Sequence, residues 1–370
     1  MPGVALGVVV VLALTVWVTR AGGSGGPSGP FTLAPTTAPA SAPAASLTAN
    51  EARARAAPAK ILTAGAPWAT GVSADVLTRA DSFASYRGRA NDVVVVFVDP
   101  SRWSTIVSPW VGDSTAHFSS FAGAWAVSEP MFPAFPDGAD KGVYSEQQLT
   151  DCAKGDFDSY YGQIGDWLNS RGRSDSFVRI GWEPNGTWFA WQAVDHRAWV
   201  SCFRHEAKAL LGSDPQARIE WDLNAHSVNP DTSDPNPFDL YPGDDVVDVI
   251  GIDTYDQYPP STDPDTFDQQ CEEVAPTPGM CTVLEFAQAH HKLFAVPEWG
   301  LVGKDSKAGD NGGGDNTVYI DQMYQKFKRY AYMLAYEAYF NNSDLTNVNS
   351  SLNDPVRQPQ GSAEYAKLWG

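Results

Sequence analysis

From about residue 60 to the C-terminus, short apolar runs rich in β-branched and aromatic residues alternate with longer amphipathic stretches, each run bounded by Gly, Pro or Asp. Parallel strands cannot be joined by a tight turn; they need a crossover of about a dozen residues or more, and a helix is the usual one. The alternation therefore predicts repeated βα units around a parallel sheet. Strands are expected at residues 61–66, 93–99, 125–130, 177–183, 218–224, 246–255, 293–298 and 332–339. Helices are expected between them, among them 146–170, 196–211, 283–291 and 318–329, with a closing one at 362–369. Eight strands with intervening helices imply an α/β fold of the (β/α)8 TIM barrel type. The competing arrangement, a doubly wound open sheet, would carry G-x-G-x-x-G directly after its first strand, and no such stretch is there.

The first part of the chain reads differently. Residues 4–18 are apolar and uncharged, about the length of a signal-peptide core and short for a membrane span, so residues 1–20 fit a cleaved signal or a retained anchor. Residues 21–58 are mostly Gly, Ser, Pro, Ala and Thr, a composition that cannot offset the entropy of ordering and makes a flexible tether. Residues 59–370 are left for the barrel. This order predicts export, with the protein secreted or tethered at the cell surface. Four cysteines, an even number, then predict disulfides. Cys271 and Cys281 are expected to pair across a Pro-rich loop, and Cys152 and Cys202 by elimination.

A formal charge of -19 excludes nucleic acid and anionic membrane surfaces as partners, leaving membrane contact to an N-terminal anchor alone. No C-x-x-C, H-x-H or H-E-x-x-H spacing is present, so neither a metal nor a cofactor is expected. A monomer is expected. Barrel enzymes carry their reactive groups at the C-terminal ends of strands, so the informative acidic residues are those that end one. The fourth strand, in "FVRIGWEPNG", stops at Glu183 before Pro184; the seventh, in "KLFAVPEWG", stops at Glu298 before Gly300. Alternation predicts that Arg179, Gly181 and Glu183 share one face, directed into the lumen.

Two carboxyl groups flanking a cavity are what glycosidic bond cleavage needs, about 5 to 5.5 Å apart when one attacks the sugar and configuration is retained. The aromatic neighbours Trp182, Trp188, Phe189 and Trp191 would raise the pKa of Glu183 by desolvation, which suits a general acid/base. Arg179 and Tyr255 are expected to hydrogen-bond Glu298, the nucleophile. Trp188 and Trp191 are candidate sugar platforms, Asn224 a candidate partner for substrate hydroxyls, and Arg179, Trp182, Asn185 and Tyr255 further candidate substrate-binding residues. Trp299 is a further candidate contact, with core packing as its alternative. The long loop 257–282 is expected to wall the cleft, and the Gly-rich stretch 312–314 to form a mobile lid.

The stretch "RIGWEPNGTWFAW", residues 179–191, resembles the motif of glycoside hydrolase family 26, with its Arg four residues before a Glu, its Asn-Gly just after and its W-F-x-W run. "AVPEWG" at Glu298 and "DVIGIDTYD" around Tyr255 are similar to the seventh- and sixth-strand segments of the same clan of retaining barrels. The resemblance implies Glu183 as acid/base, Glu298 as nucleophile and Tyr255 beside it, in a secreted endo-acting β-glycosidase. β-Mannan is the substrate it implies first, with β-glucan or β-xylan next. The motif departs where the family has His before the acid/base and this chain has Trp182, and where Met-Asn-Gly is replaced by Pro184-Asn185-Gly186. An altered sugar subsite follows. A cell-wall transglycosylase, or a catalytically silent carbohydrate-binding protein, would use the same barrel.

Overall fold

The computed structural model describes residues 63, 66–112, 118–134, 144–227, 230–231, 233–307 and 309–370. The expected signal or anchor, the tether and most of the first expected strand lie outside them. Among the described residues no helix is long and apolar enough to cross a membrane. Eight parallel strands close into one barrel in chain order: β1 (Thr70–Ser73), β2 (Val93–Phe97), β3 (Ala124–Glu129), β4 (Phe177–Ile180), β5 (Arg218–Asn224), β6 (Val249–Tyr255), β7 (Leu293–Gly300) and β8 (Leu334–Tyr339). β8 returns to β1 through Thr70↔Glu337 and Val72↔Tyr339, so no sheet edge is left open. The fold is the (β/α)8 barrel that the alternation predicts.

The helices are α1 (Leu77–Arg87), the single turn α2 (Trp103–Ile106), α3 (Glu146–Ala153), α4 (Asp158–Ser170), α5 (His196–Ser213), α6 (Pro264–Cys271), α7 (Met280–Ala289), α8 (Thr317–Arg329) and α9 (Pro359–Trp369). Strand alternation sorts the core into two shells. Val93, Val95, Ala126, Phe177, Val249, Ala295 and Tyr336 fill the lumen. Their neighbours Val94, Val96, Trp125, Val127 and Val296 turn outward against the helices.

Several elements differ from the sequence expectation. The strand that pairs with β2 and β8 is Thr70–Ser73, whose sequence TGVS is nearly devoid of large side chains and so gave no apolar run to read; the expected strand at 61–66 lies mostly outside the described residues. The expected helix 146–170 is broken into α3 and α4, since Gly155 takes a left-handed φ of 87° and a Cβ there would lie 2.7 Å from the His205 ring. The loop 257–282 contains α6, started by Pro264 and a reciprocal capping box between Asp263 and Thr266.

Disulfides tie this outer layer together: Cys152–Cys202 links α3 to α5, and Cys271–Cys281 links α6 to α7. Closure of the barrel is stapled by one buried carboxyl. Glu337 of β8 accepts indole N–H bonds from Trp68 ahead of β1 (3.3 Å), Trp299 of β7 (2.7 Å) and Trp369 of α9 (2.9 Å).

Candidate active site

Regular alternation along β7 would send Glu298 the wrong way. Ala295 faces the lumen and Val296 the helices, so an unbroken strand would put residue 298 outside with Val296. The pairings show one extra residue in β7: Val296↔Glu337 and Trp299↔Tyr339 on one side, Gly251↔Ala295 and Thr254↔Trp299 on the other. Pro297 lies in this interval and has no N–H to give to a ladder, which makes it a natural place for a β-bulge. The bulge turns Glu298 into the barrel mouth and Trp299 out to the helices.

Beneath Glu298 sits Arg179, fully buried on β4. Its guanidinium donates to Glu298 Oε1 (3.2 and 3.3 Å), Asp222 Oδ2 (2.5 Å), Asp253 Oδ2 (2.6 Å) and Ser128 Oγ (2.7 Å), and its Nε lies 3.7 Å from Glu220 Oε1. Tyr255 Oη donates to the other Glu298 oxygen at 2.9 Å. One cation cannot neutralise four carboxylates, and burial resolves the excess: it pushes Glu220 up to about 8 and Asp253 well above the usual carboxylate range. Tyr336 completes the floor by donating to Glu220 at 2.7 Å.

Glu183 follows β4 on a turn, not on the strand face that alternation predicted. The strand ends at Ile180, and both Gly181 (φ 51°) and Glu183 (φ 53°) are left-handed. The residue is 7% exposed, and its carboxyl receives Asn224 Nδ2 at 2.6 Å and Trp188 Nε1 at 2.7 Å. Burial, and then the negative charge of Glu298, push it up to about 8, so it keeps its proton at neutral pH. The two glutamates thus belong to one electrostatic site in unlike surroundings.

Other expected contacts fall elsewhere. Trp299 is fully buried among Tyr319, Phe327, Tyr339, Tyr365 and Trp369, the outward side of the bulge, and does not reach the cleft. Trp191 is also buried, stacked on Phe189 (4.7 Å, 9°) with its Nε1 bonded to Trp182 O at 3.0 Å, so it offers no face to a sugar. Trp182 is 4% exposed, packed against Trp191, Phe189 and Phe97. Trp188 alone of these is half-buried and bonded to a candidate catalytic group.

Asn185 has no exposed surface; it clamps the backbone of Asn224, accepting from its N (2.8 Å) and donating to its O (2.7 Å). It therefore positions the Asn224 side chain and does not meet substrate. Arg179, buried beneath Glu298, acts through that carboxylate in the same way. The Gly-rich segment expected as a lid is fastened: Gly313 N bonds Asp256 O at 2.9 Å and Gly314 N bonds Val302 O at 2.8 Å. Sequence reasoning missed Ser128, Glu220, Asp222 and Tyr336. The signal for two of them was present, since Glu220, Asp222 and Asn224 alternate along β5 and share its lumenal face. Among the described residues no group of three or more His, Cys, Asp or Glu is arranged to hold a metal ion.

Comparison with known proteins bears on this site directly. Residues 153–286 match the model of glycosyl hydrolase family 26, a span that holds Arg179, Glu183, Asn224 and Tyr255 and stops short of Glu298. Among solved structures, the chain is similar to a Cellulomonas fimi endo-β-1,4-mannanase double mutant, with TM-score 0.55 and 18% identity over 76% of this chain and 65% of that one. The chain thus spans less than two thirds of that protein. It is also similar to the catalytic domain of the Bacillus sp. JAMB-750 GH26 endo-β-1,4-mannanase, with TM-score 0.57 and 14% identity over 86% and 88% of the two chains. An Ignisphaera aggregans GH53 catalytic domain matches as well, with TM-score 0.54 and 14% identity over 84% and 99%. At such identities these structures speak for the barrel alone. The matched segment, less than half of the chain, is seated on β4, β5 and β6, and it is this part that is similar to glycosyl hydrolase family 26.

Proposed function

We propose that the chain is a retaining endo-β-glycosidase in which Glu298 attacks the sugar and Glu183 serves as acid and then base. The observation that carries this is the unlike treatment of two carboxyl groups in one site. Burial keeps a proton on Glu183, while Arg179 and Tyr255 direct their donors at Glu298. In the first step a Glu298 oxygen bonds to the anomeric carbon as the bond to the leaving oxygen breaks, and the Glu183 proton passes to that oxygen. In the second, Glu183 takes a proton from water, the water oxygen bonds to the anomeric carbon and the Glu298 carboxylate departs. Trp188 and Asn224 hold the Glu183 oxygens in place through both steps.

β-1,4-Mannan is the first substrate to try, supported by the mannanases among the structural neighbours, with β-glucan and β-xylan next. Two disulfides favour an oxidising, extracytoplasmic setting, in which residues 1–20 act as signal or anchor, 21–58 as tether and 59–370 as a monomeric catalytic barrel. A panel of these polysaccharides, scored for released oligosaccharides and for the anomer formed first, tests the assignment. Turnover is expected to vanish in Glu298→Gln and to yield the retained anomer in the wild type. Full activity in Glu298→Gln, or an inverted product, would overturn it.

A further inference from the structure

Glu183 is a non-glycine residue held in a left-handed conformation, and such strain persists only where the surroundings impose it. Its side-chain partners are Asn224 and Trp188. From beneath, the turn rests on Met131, which follows β3 and has no exposed surface. A Cβ on Gly181 would lie 2.8 Å from Met131 Cγ and Sδ, so the thioether fills the space under that glycine. Gly181 N also bonds to Glu129 O at 2.9 Å, which ties the turn to the same strand end.

Methionine alone makes a poor floor, because its three rotatable bonds let it yield. Here it is backed on two sides. Cys202 Sγ lies 3.8 Å from Met131 Sδ, and Tyr161 Oη donates to Met131 O at 2.6 Å while lying 2.9 Å from Cys152 Sγ. The Cys152–Cys202 disulfide therefore touches both the side chain of Met131 and the residue that anchors its backbone. All four residues are fully buried, in a close-packed interior that transmits displacement.

We propose that Met131, backed by the Cys152–Cys202 disulfide, is a positioning residue that fixes the Gly181–Glu183 turn and with it the aim of the acid/base carboxyl. This rests on the assignment of Glu183 made above. It gives the disulfide a part in catalysis: removing it loosens Met131, and the carboxyl loses its line to the leaving oxygen.

The test separates positioning from stability by leaving group. Proton donation matters for a poor leaving group such as phenol and hardly at all for 2,4-dinitrophenol, so kcat/KM is measured on both β-mannobiosides, with cellobiosides and xylobiosides alongside. Met131→Ala and Cys152→Ser/Cys202→Ser are expected to lower kcat/KM on the phenyl substrate by about tenfold or more, and on the dinitrophenyl substrate by less than about twofold. Met131→Leu, which keeps the volume, should restore most of the loss. If Met131→Ala does not fold, the smaller truncation Met131→Val should show the same selectivity. Equal losses on both leaving groups, or none, would overturn the proposal. If Glu183→Gln is selective and the Met131 variants are not, only this inference falls. If Glu183→Gln is not selective, or the wild type cleaves none of the glycosides, the functional assignment falls with it.

Discussion

Replacing Glu183 with Gln should change the way stability depends on pH. In the folded protein burial holds this carboxyl up to about 8, against an ordinary value of 4.5. Between those values the folded chain binds a proton that the unfolded chain has released. Stability therefore falls as pH rises through this window, by up to about 1.4 kcal/mol per pH unit. Nothing is lost below the unfolded value. By pH 7 the wild type has given up about 3 kcal/mol on account of this one group. Gln cannot titrate, so the variant keeps that increment.

The amide carries a cost of its own. Both Glu183 oxygens accept, from Asn224 and Trp188, and an NH2 in place of one of them faces a donor. That cost does not vary with pH. Subtracting urea-unfolding free energies of wild type from those of Glu183→Gln at pH 4.5, 6, 7 and 8 should thus give a difference that climbs by about 3 kcal/mol from pH 4.5 to 7. A difference that stays flat within about 0.5 kcal/mol would refute the claim that burial keeps Glu183 protonated.

Three further outcomes are expected. Glu337→Leu should lower stability by about 3 kcal/mol or more, measured by denaturant midpoint, because the indole N–H groups of Trp68, Trp299 and Trp369 lose their acceptor inside the protein. A wild-type midpoint would show that the staple contributes nothing. Asn185→Ala should lower kcat about tenfold with little change in KM, since Asn185 holds Asn224 and not the sugar; a rise in KM at constant kcat would return it to the substrate. Pro297→Val restores a ladder donor at the bulge and should lower kcat/KM about tenfold or more by turning Glu298 from the lumen, whereas wild-type kinetics would show that the bulge does not depend on proline.

The sequence by itself determined the class of fold, because the βα alternation is set by local periodicity and a closed parallel barrel is what eight such units build. It also singled out Glu183 and Glu298, which the structure places on the turn after β4 and two residues before the end of β7. α6 was read as part of a loop, although the Asp263-Pro264 start and the Thr266 that closes its capping box carried the signal for a helix. What it left undetermined was direction. Whether Glu298 faces the lumen hangs on one extra residue in β7, and a bulge is defined by the pairing of three strands, which no stretch of nine residues contains.

The tryptophans divide for the same reason. Trp188, Trp191 and Trp299 are chemically alike in the sequence, yet one bonds Glu183 and two are buried in packing against partners far along the chain or across a turn. Periodicity is local and survives in the sequence. Burial is a property of the folded surface, so only the tertiary structure decided which aromatic rings reach the cleft and how four acidic residues share one arginine.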